Sequence, residues 1–336
     1  DKRVILLGSL KEKKKVIKEN YGASLIDMGD GVACLEFHTK MNAIDADIIS
    51  MMRESLDEVR KNFIGLVIGN QGENFSVGAN LLLLLMESEN KNWDGISTIV
   101  KEFQDVNMAM KYFEKPVVAA PFGMTLGGGC EISMACSRIV AHAETYMGQV
   151  EVGVGLIPGA GGNKEVLLRN LEGIPDDMAL DLFPFLRRAF ETIAMAKVCT
   201  SAKEGRDLKF LRPQDRVVLN RDYLLHEAKK TVISMIDEGY KPPLPAKIRV
   251  IGESGRSTAS LLLYSMKLGG YISEHDELIN SKLAYVLTGG NLPSGSTVTE
   301  SYLLDLEREA FVSLCGCEKT QERMKHMLNT GRPLRN

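Results

Sequence analysis

Two glutamates are each embedded in a glycine-rich segment, within a chain of 336 residues. Glu131 lies in LGGGCEI (residues 126–132), and Glu151 opens EVGVGLIPGAGG (residues 151–162). Glycine lets the backbone turn sharply and approach another group closely, so both segments predict tight turns between secondary-structure elements. Carboxylates beside such turns are suited to moving protons on a substrate whose developing charge is stabilised by peptide N–H groups.

Short apolar runs alternate with helical patterns around these turns. The pattern predicts strands at residues 32–37, 64–68, 117–120 and 139–141, with an amphipathic helix between the first two. A further helix is predicted from about Gly129 to Cys136. Strands that alternate with helices indicate the α/β class.

Beyond Gly162 the sequence favours helices. Helical patterns cover residues 165–170, 175–188, 190–199 and 223–238, and KPPLP (residues 241–245) interrupts the chain as a linker would. Two amphipathic helices follow, around residues 278–287 and 303–314. Thr297 and Glu300 have the spacing of a capping box for the second. This part is predicted to be a helical packing or partner surface.

Charge and composition argue against several classes of protein. The net charge of -3 gives no general attraction to nucleic acid or anionic membranes, and no apolar run reaches the roughly 18 to 20 residues that span a bilayer. The six cysteines are scattered, and Cys315 and Cys317 lack the further ligands that would complete a metal site. We therefore expect no nucleic acid, no membrane span, no metal, and a reducing, cytoplasmic location.

Peptide N–H donors are predicted at two turns. A helix that starts at the glycines of residues 127–129 would direct free N–H groups outward, and the helix dipole would add positive charge there. FSVGANL (residues 75–81) is a second turn of this kind.

The other glycine-containing segments do not fit nucleotide binding. GVGLIP (residues 153–158) ends in proline where a dinucleotide fingerprint needs glycine, and residues 252–257 are too short for a P-loop.

In their order and spacing, FSVGAN (residues 75–80), KPVVAA (115–120), LGGGCEI (126–132) and the segment 151–162 resemble the motifs of the crotonase, or enoyl-CoA hydratase/isomerase, superfamily. The resemblance covers about residues 23–241. It implies an α/β superhelix of ββα units with a helical C-terminal region, and a CoA-thioester substrate. It also implies an oxyanion hole from the N–H groups of Ala79 and Gly128. Glu131 and Glu151 would be the acid/base pair for syn-type addition of water to 2-enoyl-CoA in fatty-acid β-oxidation, with no cofactor.

The same resemblance implies contacts with the substrate and its CoA part. The residues expected to make them are Lys40, Met41, Ala43, Asn80, Leu81, Gly127, Pro158 and Gly159. Asn80 departs from the family pattern, which usually has aspartate after the oxyanion-hole alanine. Residues 170–188 look like an insertion, in which Phe183, Phe185 and Leu186 either line the acyl pocket or pack within a helix.

The chain also resembles the C-terminal hydratase part of fused 3-hydroxyacyl-CoA dehydrogenases. This predicts a linker or remnant of a preceding domain at residues 1–22, a crotonase-like catalytic domain at 23–240 and a helical extension at 241–336. NAD would belong to a dehydrogenase domain or subunit, since the chain has no dinucleotide fingerprint. Two alternatives stay open, a 3-enoyl/2-enoyl-CoA isomerase and a non-catalytic assembly module for a dehydrogenase partner. Superfamily members commonly form homo-oligomers, which the extension could block.

Overall fold

The computed structural model describes residue 1, residues 3–175 and residues 180–336. This part of the chain divides into two compact units. Unit 1 comprises Asp1–Asn80, Asp105–Gly148 and Val198–Leu244, and unit 2 comprises Leu81–Gln104, Gln149–Lys197 and Pro245–Asn336. Each unit is therefore assembled from three separate stretches of chain.

The strands and helices of the described residues have the following bounds. The strands are β1 (Val16–Glu19), β2 (Ala23–Asp27), β3 (Val32–Phe37), β4 (Gly65–Ile68), β5 (Val117–Ala119), β6 (Gly123–Leu126), β7 (Arg138–His142), β8 (Thr145–Gly148), β9 (Arg216–Val218), β10 (Lys247–Arg249) and β11 (Thr297–Thr299). The α-helices are α1 (Leu7–Glu12), α2 (Ala46–Asn62), α3 (Leu81–Glu89), α4 (Trp93–Lys111), α5 (Gly128–Ala135), α6 (Gly162–Leu171), α7 (Phe183–Ala194), α8 (Ala202–Asp207), α9 (Leu224–Asp237), α10 (Gly252–Leu268), α11 (Glu274–Leu287), α12 (Glu300–Cys315) and α13 (Glu318–Thr330). Short 3₁₀ helices cover Lys40–Asn42, Glu151–Val154 and Arg221–Tyr223.

A seven-stranded mixed sheet forms the centre of unit 1, in the order β1-β2-β3-β4-β5-β7-β9. β1, β2 and β3 pair antiparallel, whereas the pairs from β3 to β9 are parallel. All residues of β4 and β5 are buried, which explains why these strands are continuous apolar runs in the sequence. β6 and β8 form a separate parallel pair, and β6 ends directly before the glycine turn that starts α5.

Local capping determines where α2 begins and ends in unit 1. The Asp45 carboxylate accepts a hydrogen bond from the Ile48 N–H at 3.1 Å, which caps the N-terminus of the helix. At the other end, the Lys115 ammonium donates to the carbonyl oxygens of Val59 and Phe63 at 2.9 and 2.6 Å. The lysine of the KPVVAA segment therefore satisfies carbonyl groups at the end of a distant helix.

Unit 2 is mainly helical and carries one antiparallel strand pair, β10 with β11. In α7 one face is buried, through Leu186, Ala189, Phe190 and Ile193. The side chain of Arg323 in α13 is fully buried and pairs with Asp276 of α11 at 2.9 Å. The helical C-terminal region is thus a packed part of unit 2. None of the helices in the described residues is long and apolar enough to cross a membrane.

Most predicted elements of the first half are confirmed. The four predicted strands and the helix predicted at residues 129–136 each agree with the structure to within one residue at either end. Those segments are short, buried and bounded by turn residues, so local sequence is sufficient to locate them.

Two predictions for the second half are wrong, and one helix was not predicted. The two helices predicted at residues 175–188 and 190–199 are replaced by the single helix α7, while residues 176–179 lie outside the described residues. Helix α10 was not predicted, because its first residues read as a glycine-containing loop. The N-cap of α12 is Thr299, whose side chain accepts from the Tyr302 N–H at 3.2 Å, whereas Thr297 pairs within β11.

Candidate active site

Two turns of unit 1 lie against each other through backbone hydrogen bonds. The Ser76 N–H donates to the Met124 carbonyl at 3.1 Å, and the Leu126 N–H donates to the Ser76 carbonyl at 2.9 Å. A β-carbon added to Gly78 would lie 3.4 Å from the Gly128 nitrogen. The FSVGAN turn and the start of α5 are therefore immediate neighbours.

This arrangement presents two unused peptide N–H groups. Within the residues that the structure describes, neither Ala79 nor Gly128 donates its N–H group in a hydrogen bond. Gly128 is the first residue of α5, where N–H groups lack intrahelical acceptors and the helix dipole favours negative charge. Gly127, its neighbour, donates its own N–H to the Gly148 carbonyl at 2.9 Å. Both predicted oxyanion donors are thus available in unit 1.

The loop that carries Lys40, Met41 and Ala43 is hydrogen-bonded to the same turn. Ile44 donates its N–H to the Gly78 carbonyl and accepts from the Asn80 N–H, each at 2.8 Å. Lys40 and Met41 are exposed, whereas Ala43 is half-buried. Unit 1 therefore brings three predicted CoA-contact residues next to the turn of Ala79.

Glu131 lies in the first turn of α5, three positions after the Gly128 donor. Its side chain is only 3% exposed. The Glu131 N–H donates to the Gly127 carbonyl at 3.0 Å, which is the first regular helical bond after the glycine turn. The glycine turn and the helix start together fix the position of this carboxyl group in unit 1.

Glu151 belongs to unit 2 and begins a 3₁₀ helix. With its amide oriented as its hydrogen-bonding neighbours require, the buried Gln149 donates to both carboxyl oxygens of Glu151, each at 3.1 Å. Glu151 is partly exposed as a residue, but the surrounding protein excludes most water from its carboxyl group. Burial raises the pKa of Glu151 to about 8, and the negative charge of Glu307 acts in the same direction. This shift favours the protonated form of the carboxyl near neutral pH.

Unit 2 also holds the other predicted contact residues. Leu81 is half-buried at the start of α3. The carbonyl oxygens of Pro158 and Gly159 accept hydrogen bonds from the side-chain amides of Asn163 and Gln104, both at 2.9 Å. Pro158 and Gly159 are themselves buried, so their own atoms are held by protein contacts. Their predicted role in substrate binding stays a prediction.

The phenylalanines of the proposed insertion lie in α7. Leu186 is buried on the packed face of the helix, and Phe183 and Phe185 are half-buried. Helix packing, one of the two readings of these residues, accounts for Leu186. Residues 176–179 of the insertion lie outside the described residues.

Sequence reasoning missed three residues that contact the Glu151 segment. They are Gln149, Glu307 and Thr320. Gln149 is two positions from the glutamate, so its proximity was available in the sequence. Glu307 and Thr320 lie in the C-terminal extension and match no motif, so only the tertiary structure identifies them.

Part of this chain is similar to a known protein family, and the whole chain is similar to part of a longer protein. Residues 27–172 match the family model described as enoyl-CoA hydratase/isomerase. A probable 3-hydroxyacyl-CoA dehydrogenase of Bacillus subtilis (strain 168) is 52% identical over 336 residues, which cover 100% of this chain and 42% of that protein. A short-chain-enoyl-CoA hydratase of Clostridium acetobutylicum is 32% identical over 133 residues, covering 38% of this chain and 48% of that protein.

A solved structure supports the fold. The enoyl-CoA hydratase from Bacillus halodurans aligns with a TM-score of 0.61 at 16% identity, covering 90% of this chain and 98% of that one. At this identity the likeness concerns the fold alone. The fold is thus the predicted crotonase-like α/β fold with a helical C-terminal region. The chain spans less than half the length of its Bacillus subtilis relative.

Proposed function

Because the domain at residues 27–172 belongs to the enoyl-CoA hydratase/isomerase family of the crotonase superfamily, we propose that this chain hydrates 2-enoyl-CoA thioesters. Two observations support the proposal. Among the described residues, the N–H groups of Ala79 and Gly128 donate no hydrogen bond and lie on adjacent turns, and burial raises the pKa of Glu151 to about 8. The first observation carries it, because hydration passes through an enolate whose oxygen needs such donors.

The two N–H groups are suited to the thioester oxygen. Addition at the β-carbon moves electron density onto that oxygen and produces an enolate. Two peptide donors fixed by backbone hydrogen bonds stabilise this charge without having to reorganise. Loss of one donor in a comparable site costs on the order of 10² to 10³ in rate.

The glutamates have complementary proposed roles. Glu131 accepts a proton from water as the water oxygen bonds to the β-carbon, and Glu151 gives its proton to the α-carbon. The thioester gains one water, and proton exchange with solvent returns Glu131 to its ionised form and Glu151 to its protonated form. These assignments follow the family resemblance and the neutral state of Glu151.

The first experiment follows the absorbance of the conjugated enoyl thioester in crotonyl-CoA. We expect Glu131→Gln and Glu151→Gln each to lower kcat by about 10² to 10⁴, the usual contribution of a general acid or base. The double variant should be little slower than either single variant, since groups that act as a unit are not additive. Folding is checked by circular dichroism. A folded wild-type chain that hydrates neither crotonyl-CoA nor longer 2-enoyl thioesters would refute the proposal.

Isomerisation is the second candidate, supported by the family model, whose description covers hydratases and isomerases alike. In its ionised form, a single carboxyl such as that of Glu151 can take a proton from one carbon and return it to another. A 3-enoyl thioester assayed beside the 2-enoyl thioester separates the two activities. An isomerase would convert the first and leave the second unchanged, and Glu131→Gln would have little effect.

We further propose that the hydratase works with a 3-hydroxyacyl-CoA dehydrogenase in fatty-acid β-oxidation. The support is the name and the greater length of the Bacillus subtilis relative. The dehydrogenase would bind NAD and oxidise the hydratase product. The full-length protein should then form NADH from crotonyl-CoA and NAD, whereas this chain alone should stop at the hydroxyacyl thioester.

A cytoplasmic location and the predicted regions at 1–22, 23–240 and 241–336 are part of the proposal. All six cysteines are free thiols, and five are buried, which suits a reducing compartment. Limited proteolysis tests the regions, because cleavage should concentrate at the exposed Tyr21 and at the exposed residues 243–245.

A further inference from the structure

The carboxyl group of Glu307 caps a helix that follows the Glu151 segment. Glu307 lies in α12, within the C-terminal extension, and its side chain is 0% exposed. One oxygen accepts from the Gly161 N–H at 2.6 Å, and the other accepts from the Asn163 N–H at 3.1 Å and from its side-chain amide at 2.9 Å. Gly161 is the N-cap of α6, so a distant helix supplies the cap of α6.

A charged carboxylate is well suited to this position. The N-terminus of α6 carries partial positive charge and several N–H groups without intrahelical acceptors. Burial of a charge is costly unless hydrogen bonds replace the lost water, and the donors from Gly161 and Asn163 do this. The interaction therefore ties α12 to the start of α6 within unit 2.

The same amides also hold the backbone between Glu151 and α6. The Asn163 side chain donates to the Pro158 carbonyl as well as to Glu307. The Gln104 amide donates to the Gly159 carbonyl at 2.9 Å and approaches Glu307 at 3.4 Å. Glu307 is therefore at the centre of a network that fixes the segment immediately after the proposed acid.

The extension makes a second contact with this segment. The Thr320 hydroxyl of α13 donates to the Gly155 carbonyl at 2.9 Å. A β-carbon on Gly155 would lie 2.9 Å from the Cα of Thr320, so the two backbones are in close contact. Gly155 ends the 3₁₀ helix that Glu151 begins. The extension thus contacts the Glu151 segment at Gly155 and at Gly161.

Glu307 also acts on Glu151 through its charge. Burial raises the pKa of Glu151 most, and the Glu307 carboxylate raises it further. Several other charges on α6 and α12 are engaged in ion pairs: Lys164 with Glu165 and Glu300, Arg169 with Glu165, and Arg308 with Asp305. Arg308 also donates to the Gln104 side chain.

We propose that Glu307 is a positioning residue for Glu151, which fixes the segment of residues 158–161 and contributes a negative charge that acts on the acid. The inference rests on the proposed hydratase function. It extends the reaction's machinery beyond the family-matched residues 27–172, into the helical extension.

The experiment compares the wild-type chain with Glu307→Gln and Glu307→Asp. The readout independent of activity is the titration of Glu151, followed by NMR of ¹³C-carboxyl-labelled glutamate and assigned with Glu151→Gln. Glu307→Gln should move the Glu151 midpoint to lower pH, because the neighbouring negative charge is gone. Glu307→Asp keeps the charge and should leave the midpoint near the wild-type value.

Kinetics with crotonyl-CoA give the second readout. We expect both variants to lower kcat by about 10- to 100-fold through misplacement of the acid, with a smaller change in KM. Only Glu307→Gln should move the alkaline fall of kcat/KM to lower pH. Glu300→Gln is the matched control, because it breaks a buried ion pair on the same helix and should leave the Glu151 midpoint unchanged.

Three outcomes would overturn the inference. They are a folded Glu307→Gln protein with wild-type midpoint and kcat, a Glu300→Gln protein with the same midpoint shift, and a Glu307→Asp protein with wild-type kcat. If Glu307→Gln does not fold, the kcat of Glu307→Asp tests the inference. If Glu307→Gln shifts the Glu151 midpoint but the wild-type chain hydrates no enoyl thioester, the positioning role would be supported and the proposed function refuted.

Discussion

At the scale of single residues, the two glutamates differ in their surroundings. Glu131 is buried in the first turn of α5, three positions after the Gly128 N–H group. Glu151 is held by the Gln149 amide, yet burial and the charge of Glu307 favour its neutral form. Carboxyl groups in such different environments are suited to opposite roles in acid/base catalysis.

The pH dependence of hydration should reflect the neutral form of Glu151. Its pKa is raised from 4.5 to about 8, so the proton donor is present below that value and is lost as pH rises through it. We expect kcat/KM, which reports the free enzyme, to fall about tenfold per pH unit above pH 8. Stopped-flow measurement of crotonyl-CoA hydration between pH 6 and 10 checks this. A flat profile up to pH 10 would contradict the acid role.

At the scale of elements, the turn of residues 76–79 and the start of α5 depend on close backbone approach. Gly129 makes this approach possible, because an added β-carbon would lie 2.8 Å from the Ser76 β-carbon and 2.9 Å from its carbonyl oxygen. The second contact involves backbone, which cannot move aside as a flexible side chain would. The position of the Ala79 N–H group therefore depends on the absence of a side chain at residue 129.

Gly129→Ala should consequently displace the Ala79 turn. We expect kcat for crotonyl-CoA to fall by about 100-fold, since a displacement near 1 Å can have this effect. Thermal unfolding should show that overpacking lowers the free energy of unfolding by an amount on the order of 1 to 3 kcal/mol. Gly8→Ala is the control, because no atom lies within 4 Å of its added β-carbon. Equal kcat values in both variants would contradict the packing argument.

A second connection between elements is the buried ion pair of α6 and α12. The Lys164 ammonium is 2.6 Å from Glu165 and 2.7 Å from Glu300, and all three side chains are buried. The two carboxylates raise the pKa of Lys164 even though burial alone would lower it. The lysine therefore stays charged and compensates two buried negative charges.

Lys164→Met should destabilise the protein strongly. The lysine's removal leaves both carboxylates without their cation, which typically costs about 3 to 5 kcal/mol. Lys267→Met serves as control, because the Lys267–Glu277 pair is partly exposed and such pairs contribute little to stability. Urea denaturation of both variants measures the difference. A similar loss of unfolding free energy in both variants would show that the buried ion pair stabilises the protein no more than the partly exposed one.

At the scale of the whole molecule, the C-terminal extension is part of a unit that also contains Glu151. Unit 2 combines Leu81–Gln104 and Gln149–Lys197 with Pro245–Asn336. Glu300 and Glu307 both contribute buried carboxylates to residues of α6 or its cap. A unit assembled from three stretches cannot complete its core when one stretch is absent.

Deletion of residues 300–336 should therefore disorder the Glu151 segment. Without α12, the N-terminus of α6 loses its cap and Lys164 loses one of its two carboxylates. Hydrogen exchange should show loss of protection in peptides covering residues 149–171, whereas peptides of β3, β4 and β5 in unit 1 should keep theirs. Retained protection at residues 149–171 would mean that the extension is dispensable for this segment.

The sequence by itself determined the α/β class, the strands β3, β4, β5 and β7, and the glycine turn before α5. These features depend on local patterns, because buried parallel strands are continuous apolar runs and tight turns need glycine. Ordered motifs also identified the family and the candidate residues Ala79, Gly128, Glu131 and Glu151. The catalytic roles of these residues stay predictions.

Only the tertiary structure decided how the Glu151 segment is held. Glu307 and Thr320 are far from Glu151 along the chain, and an isolated glutamate or threonine in an amphipathic helix carries no signal of its partner. The single helix α7 and the cap at Thr299 likewise depend on packing and strand pairing rather than local propensity. Long-range contacts select among local alternatives of similar energy, so the chain's own motifs could name the proposed acid but not what fixes its position and raises its pKa.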